Sequence, residues 1–308
     1  MRAPAVILPA VLAALALGGC GLGAGAAPGA IELLVTRDFG AQNLTHGAPL
    51  KVSGQETVMS LLMRNYAVAT RYAGGYVQSI DGVSGGQAGG QPVDWFYYVN
   101  GVEASTGAAS RNVRPGDHIW WDAHDWSQTD SVPAVVGSFP EPFLNGYEGR
   151  RLPVRVECEA VGGPACTAVV LSLRHEGVPA AIAAQGAGGG AQTLRVLVGT
   201  WARVAGDPAA QAIAQGPRVS GVYARFSADG RTLTVLDPSG RAARTLTAPA
   251  GLLGATRQGE GAPTWLVTGT DETGVELAAE SLNPAALHAR FALAVSPAGA
   301  LAVPQRGG

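Results

Sequence analysis

A chain of 308 residues with 47% hydrophobic and 14% charged content has the composition of a soluble folded protein, large enough for one big domain or two ordinary ones. Lysine and arginine total 21 against 23 aspartates and glutamates, a formal net charge of −2, and Lys51 is the only lysine. Basic residues scattered in this way form no positive stripe, which excludes nucleic acid as the expected partner.

The N-terminus carries an address. Arg2 supplies a positive start, Val6 to Leu17 an apolar segment of signal-peptide length, and Leu17-Gly18-Gly19 places small residues before Cys20. This run resembles the bacterial lipobox, in which the cysteine is acylated and becomes the mature N-terminus. It implies lipidation at Cys20 and a protein anchored to the membrane outside the cytoplasm. The plainer alternative is an ordinary secretory signal with an incidental cysteine. The apolar run is shorter than the roughly 20 residues of a membrane span. Residues 1–20 are thus read as signal peptide and the Gly/Ala-rich 21–30 as a flexible tether.

A first domain is expected over 31–127. Ile31 to Arg37 is rich in β-formers, and Pro49 to Val52 suggests a short partner strand. Ser53 with Glu56 three positions on reads as a capping box opening a helix, whose apolar stripe is Val58, Leu61 and Leu62. Tyr72 to Ile80 is a strand, and Gly82 to Gly90 a glycine-rich loop. Val93 to Val99 is aromatic and β-branched on both faces, as a central strand requires, and Asn100-Gly101 is a type I′ hairpin turn. Gly116-Asp117 leads into a last strand through Trp121. Strand pair, helix, then further strands is the order of a β-grasp.

The combination Trp95-x-x-Tyr98-Val99-Asn100-Gly101, Gly107, then Gly116-Asp117-x-Ile119-x-Trp121, behind the helix at Thr57 to Tyr66, resembles the transcobalamin C-terminal-like domain family, which includes many bacterial lipoproteins. The resemblance implies a β-grasp domain similar to the one that closes over cobalamin in the vitamin carriers, and a corrinoid as one candidate ligand. It covers about a third of the chain, and nothing here resembles the carriers' helical barrel.

Alternation puts Trp95, Tyr97 and Val99 on one face of the strand and Phe96, Tyr98 and Asn100 on the other. One face must cover the helix. The other is either an open aromatic surface for a ligand or is buried by the second domain, and the residues alone leave both readings standing. On the open reading Trp95, Tyr98 and Trp121 are stacking faces and Asn100 is a turn former and donor. His118, Asp122 and His124 share a face, but a straight strand would put the two histidines roughly 20 Å apart, too far for one metal ion.

Residues 128–151, with Pro133, Pro140 and Pro142, read as a linker or an irregular wrap, and 152–308 as a second domain. Cys158 and Cys166 flank Gly162-Gly163-Pro164 and are expected to form a disulfide in an oxidising compartment. A two-cysteine metal site would lack a histidine or second cysteine pair nearby. The segment from Val196 through Ala214 to Phe226 repeats in that from Trp265 through Glu280 to Leu293, each as strand, helix, strand. This predicts an α+β chain: a β-grasp-like domain, then a duplicated α/β sandwich. Gly199-Thr200 and Gly269-Thr270 could offer backbone N–H groups to an anion, although Asp271 and Glu272 oppose one at the second. Arg225 and Arg290 could face a shared cleft, and His175 reads as a surface residue.

No nucleophile elbow, P-loop, zinc-protease helix or dinucleotide fingerprint is present, so no reaction and no cofactor are expected. The expected function is capture or presentation of a small molecule at the cell surface, with transfer to a membrane transporter. The alternative is a non-catalytic structural or interaction lipoprotein of the envelope.

Overall fold

The computed structural model describes residues 29–305 apart from 48, 53, 73, 188 and 189. The proposed signal peptide, Cys20 and most of the tether lie outside the described residues. No described helix is long and apolar enough to cross a membrane.

The chain is an α+β protein. In its first half, the strand Glu32–Arg37 pairs in parallel with His118–Asp125, which pairs antiparallel with Gln91–Val99. The helix Val58–Asn65 lies across one face of this sheet and buries Val58, Met59, Leu61 and Leu62 against Leu33, Val35, Trp95, Tyr97, Ile119 and Trp121. Asn100 and Gly101 both have positive φ, 55° and 74°, and close a two-residue hairpin in which Val99 faces Val102.

Three local expectations are corrected. The helix is capped by Thr57, whose hydroxyl accepts from Ser60 N while Ser60 Oγ accepts from Thr57 N. Glu56, expected to close the box, instead holds Arg64 through both carboxylate oxygens at 2.9 and 3.0 Å. The partner of the first strand is Gln42–Asn43, with Leu50 contributing only an isolated bridge to Ile31. The glycine stretch after Gly82 forms two short strands, Val83–Ser84 and Gly86–Ala88, so it is no free cap over the aromatic strand.

The second half is built on a seven-stranded sheet in the order Ala180–Ala184, Val154–Cys158, Leu194–Thr200, Thr264–Gly269, Gly251–Thr256, Ala292–Ser296, Gly299–Val303. The first four run parallel and the remainder antiparallel. The helices Pro164–His175 and Glu272–Glu280 cover one face, burying Val169, Leu173, Val275 and Ala278 on Val156, Val196, Trp265 and Val267. The repeat is visible in part. Its two leading strands are neighbours in this sheet and each is followed by helix, but the closing strands diverge. Ala224–Phe226 joins a separate three-stranded sheet, whereas Ala292–Ser296 stays in the large one.

The segment 128–151 carries no helix or strand, yet it is an irregular wrap packed into the protein. Val132 and Val135 enter the core shared with the first half, and Phe139, Phe143 and Tyr147 pack against the core around Trp265.

Cys158, at the end of its strand, is bonded to Cys166 in the first turn of the following helix, with a Cα–Cα distance of 5.8 Å. Closing so short a loop stabilises by about 2.5 kcal/mol in the chain-entropy account. Substituting both cysteines by alanine should lower the unfolding free energy measured by urea denaturation by about that amount, and an unchanged value would show that the loop is already ordered in the unfolded chain.

Candidate functional site

The residues expected to form an open aromatic surface are in the interior. Trp95 and Trp121 face the helix Val58–Asn65, and the Trp121 ring stacks on Tyr97 at 4.9 Å. Tyr98 lies on the opposite face of the same sheet, so the structure does not bring the four candidates into one surface. Tyr98 and Trp120 are fully buried, and Phe291, from the second half, meets them edge-on at 5.6 and 5.1 Å. Phe39 and His124 extend this seam onto Phe291 and Tyr223. Aromatic pairs at these spacings add to the area they bury, and they leave no ring free for a ligand. Of the two readings of this strand, the buried one describes the structure.

Asn100 is the turn former it was expected to be, but its donors are used internally. Its Nδ2 donates to Asp117 Oδ1 at 3.0 Å and to the Gly146 carbonyl at 2.7 Å, while its Oδ1 accepts from His118 N at 2.8 Å. His118 Nδ1 shares a 2.9 Å hydrogen bond with Ser138 Oγ, and its other nitrogen lies 3.6 Å from Glu32. Asp122 accepts from Phe39 N, Gly40 N and the Thr36 hydroxyl and holds His124 Nδ1 at 2.9 Å. His118, Asp122 and His124 therefore act as pins of the seam. Close by, Glu141 accepts from Asn145 N and sits beside Asp117; burial pushes its carboxyl up to about 7 against those hydrogen bonds.

The second half holds a different site, at the carboxyl ends of its parallel strands. From Val154–Cys158 the chain crosses to Ala180–Ala184 on one side, and from Leu194–Thr200 it proceeds towards Thr264–Gly269 on the other. The direction of winding reverses between these two starting strands, and their ends must part there. Such a point leaves a crevice above the strand ends, the position at which open α/β sheets hold ligands. A cavity of about 160 Å³ occupies it, with Cys158, Glu159, Gly199 and Thr200 from the strand ends and Glu272 and Glu276 from the facing helix. The disulfide forms part of its wall.

Its electrostatics are set by the chain itself. Thr200 N and Oγ1 both donate to Glu159 Oε2, at 2.8 and 2.9 Å, so the anion-binding groups expected after this strand are filled by the protein's own carboxylate. Arg203 donates to the other oxygen of Glu159 at 3.1 Å, and Glu272 and Glu276 add two more carboxylates to a lining that contains no arginine or lysine. Gly199 is required by close approach, because a Cβ there would lie 2.6 Å from Gln185 Nε2 and 2.9 Å from Glu159 Cβ. The sequence offered a signal for this site in Gly199-Thr200, but the sign of the ligand charge depends on Glu159, which only the fold brings to it.

The remaining candidates lie apart. Arg225 is exposed on the small antiparallel sheet, and Arg290 sits in a loop against Gly137. His175 is exposed beside Glu176 at the end of its helix.

Comparison with known proteins agrees with part of this description. Residues 55–125 match a family described as "Domain of unknown function (DUF4430)". No curated protein matches the chain.

Proposed function

We propose that this chain is a lipid-anchored extracytoplasmic binding protein that captures a small molecule without transforming it and presents it to a membrane transporter. The observation that carries the reading is the cleft at the winding reversal, a preformed cavity of about 160 Å³ at the place where open α/β sheets hold ligands, with room for a small group. Glu272 and Glu276 in its lining favour a ligand carrying an amine or another cationic group, the Glu159 carboxylate being paired already with Arg203 at 3.1 Å. The disulfide beside the cleft and the lipobox-like run ending at Cys20 support an oxidising compartment and an anchor.

A corrinoid is the second reading, and it rests on the similarity of residues 31–127 to the transcobalamin β-domain. The mixed sheet crossed by one helix supports that similarity. The stacking residues it would use are taken up by the helix Val58–Asn65 on one face and by the seam on the other, so a corrinoid would have to engage another surface. An envelope structural or interaction role is the remaining reading.

The test is a calorimetric titration of the mature protein with small primary and quaternary amines, alongside cobalamin and cobinamide. Saturable amine binding is expected, weakened about tenfold or more by Glu276→Gln and abolished by Gly199→Val, which fills the cleft. Corrinoid binding indifferent to both variants would move the function to the second reading. Failure of every ligand would leave the interaction role.

A further inference from the structure

Among the described residues, Arg111 is a half-buried charge with no ion-pair partner. Its Nε is shielded from water with no hydrogen-bond partner. A guanidinium stays protonated in proteins, so it cannot escape this situation by losing its charge. A guanidinium nitrogen closed off from water without an acceptor is costly, and such a group calls for a specific explanation.

The surroundings suit an external acceptor. Arg111 lines a cavity of about 350 Å³ between the loop after the Asn100-Gly101 hairpin and the 147–148 turn, sharing no lining residue with the cleft at the strand ends. Tyr147 lines the same cavity and is almost wholly buried, and its hydroxyl has no hydrogen-bond partner. Arg257 lies 5.5 Å from the Tyr147 ring centroid. Arg111 and Tyr147 thus border one space, and each carries a donor without a protein partner.

The acidic residues around the cavity do not neutralise Arg111. Glu148 and Glu260 are both held by Arg257, at 3.5 and 3.1 Å, and Glu103 accepts from the Ser131 hydroxyl. They do limit which anion can enter. A dianion such as phosphate would face three carboxylates with only one free guanidinium, whereas a carboxylate carries a single charge that the planar fork of an arginine can pair through two parallel hydrogen bonds.

We propose that Arg111 anchors a second binding site, distinct from the cleft of the second half, that takes the carboxylate group of a small organic acid. Tyr147 forms part of its wall. Because the ligand supplies the missing acceptor, the empty protein carries an unanswered charge that binding relieves.

The experiment uses acetate and inorganic phosphate as probes on the mature protein. Thermal unfolding is followed with each anion against chloride at equal ionic strength, for wild type, Arg111→Gln and Arg174→Gln on the exposed part of a distant helix. Acetate is expected to raise the unfolding temperature in wild type and Arg174→Gln, with apparent affinity falling at least tenfold in Arg111→Gln. Without anion, Arg111→Gln should unfold at the wild-type temperature or above it, since it removes an uncompensated charge. A structural arginine would do the opposite, so marked destabilisation of unliganded Arg111→Gln overturns the proposal. So does an acetate effect that survives the substitution, an absent acetate effect, or a larger effect of phosphate.

Discussion

Trp120→Ala should destabilise the protein by about 3–5 kcal/mol, the cost of emptying a fully buried indole site that cannot collapse. The site is rigid on every side. Phe291 and Tyr98 hold the ring at 5.1 and 5.7 Å, and its Nε1 donates to Thr36 Oγ1 at 2.7 Å. Thr36 in turn donates to Asp122, the carboxylate that also ties down Phe39 and Gly40. Removing the indole therefore opens a cavity and strips one member from a buried polar network. Chemical denaturation followed by circular dichroism measures the loss. Leu171→Ala, on an exposed helical face, should stay within about 0.5 kcal/mol of wild type. A loss below about 1 kcal/mol for Trp120→Ala would mean that the two halves are not joined through this seam.

The second large effect is a dependence on pH. Glu141 is nearly fully buried and its carboxyl is pushed up to about 7 from an ordinary value of 4.5, chiefly by burial, with Asp117 beside it adding to the rise. The folded state holds this proton more tightly than the unfolded state. The resulting stabilisation is complete below pH 4.5 and is lost as pH rises through 7, a difference of about 3 kcal/mol for a shift of this size. Burial also raises the Asp117 carboxyl, which acts in the same direction. Glu141→Gln keeps a neutral side chain at all pH values. The wild-type minus variant difference in unfolding free energy should therefore fall between pH 4.5 and 8, with the variant favoured at the alkaline end. Parallel curves for the two proteins would place the charge elsewhere.

What could be read from the sequence follows the range of the forces involved. The Asn100-Gly101 turn, the Cys158–Cys166 bond and the strands around Val35, Tyr97 and Val156 are written in local chemistry, and they stand where the residues put them. The helix cap was misplaced because Ser53…Glu56 and Thr57…Ser60 are similar signals four residues apart. The choice fell to Thr57 because Glu56 is engaged by Arg64.

Other features are set at long range. Nothing local to Tyr98 announces Phe291, which comes from a loop nearly two hundred positions later, so the strand's two faces could be told apart in sequence but the cover of the second could not be identified. The cleft is likewise a property of strand order. Glu159 and Thr200 become partners only because their strands are neighbours in the sheet, and the reversal of winding between them has no residue-level mark.

The measurement closest to the heart of this account is residue-resolved hydroxyl-radical footprinting of the native protein. The aromatic strands are covered by the helix Val58–Asn65 on one face and by the second half on the other, and solvent should not reach them. Tyr72, 84% exposed at a hairpin tip, provides the reference for a freely reacting ring. Trp95, Tyr98, Trp120 and Trp121 should remain unlabelled at doses that saturate Tyr72 and become reactive only on unfolding. Labelling of Tyr98 and Trp120 in the folded protein at rates near that of Tyr72 would contradict the account and restore an open ring-lined surface.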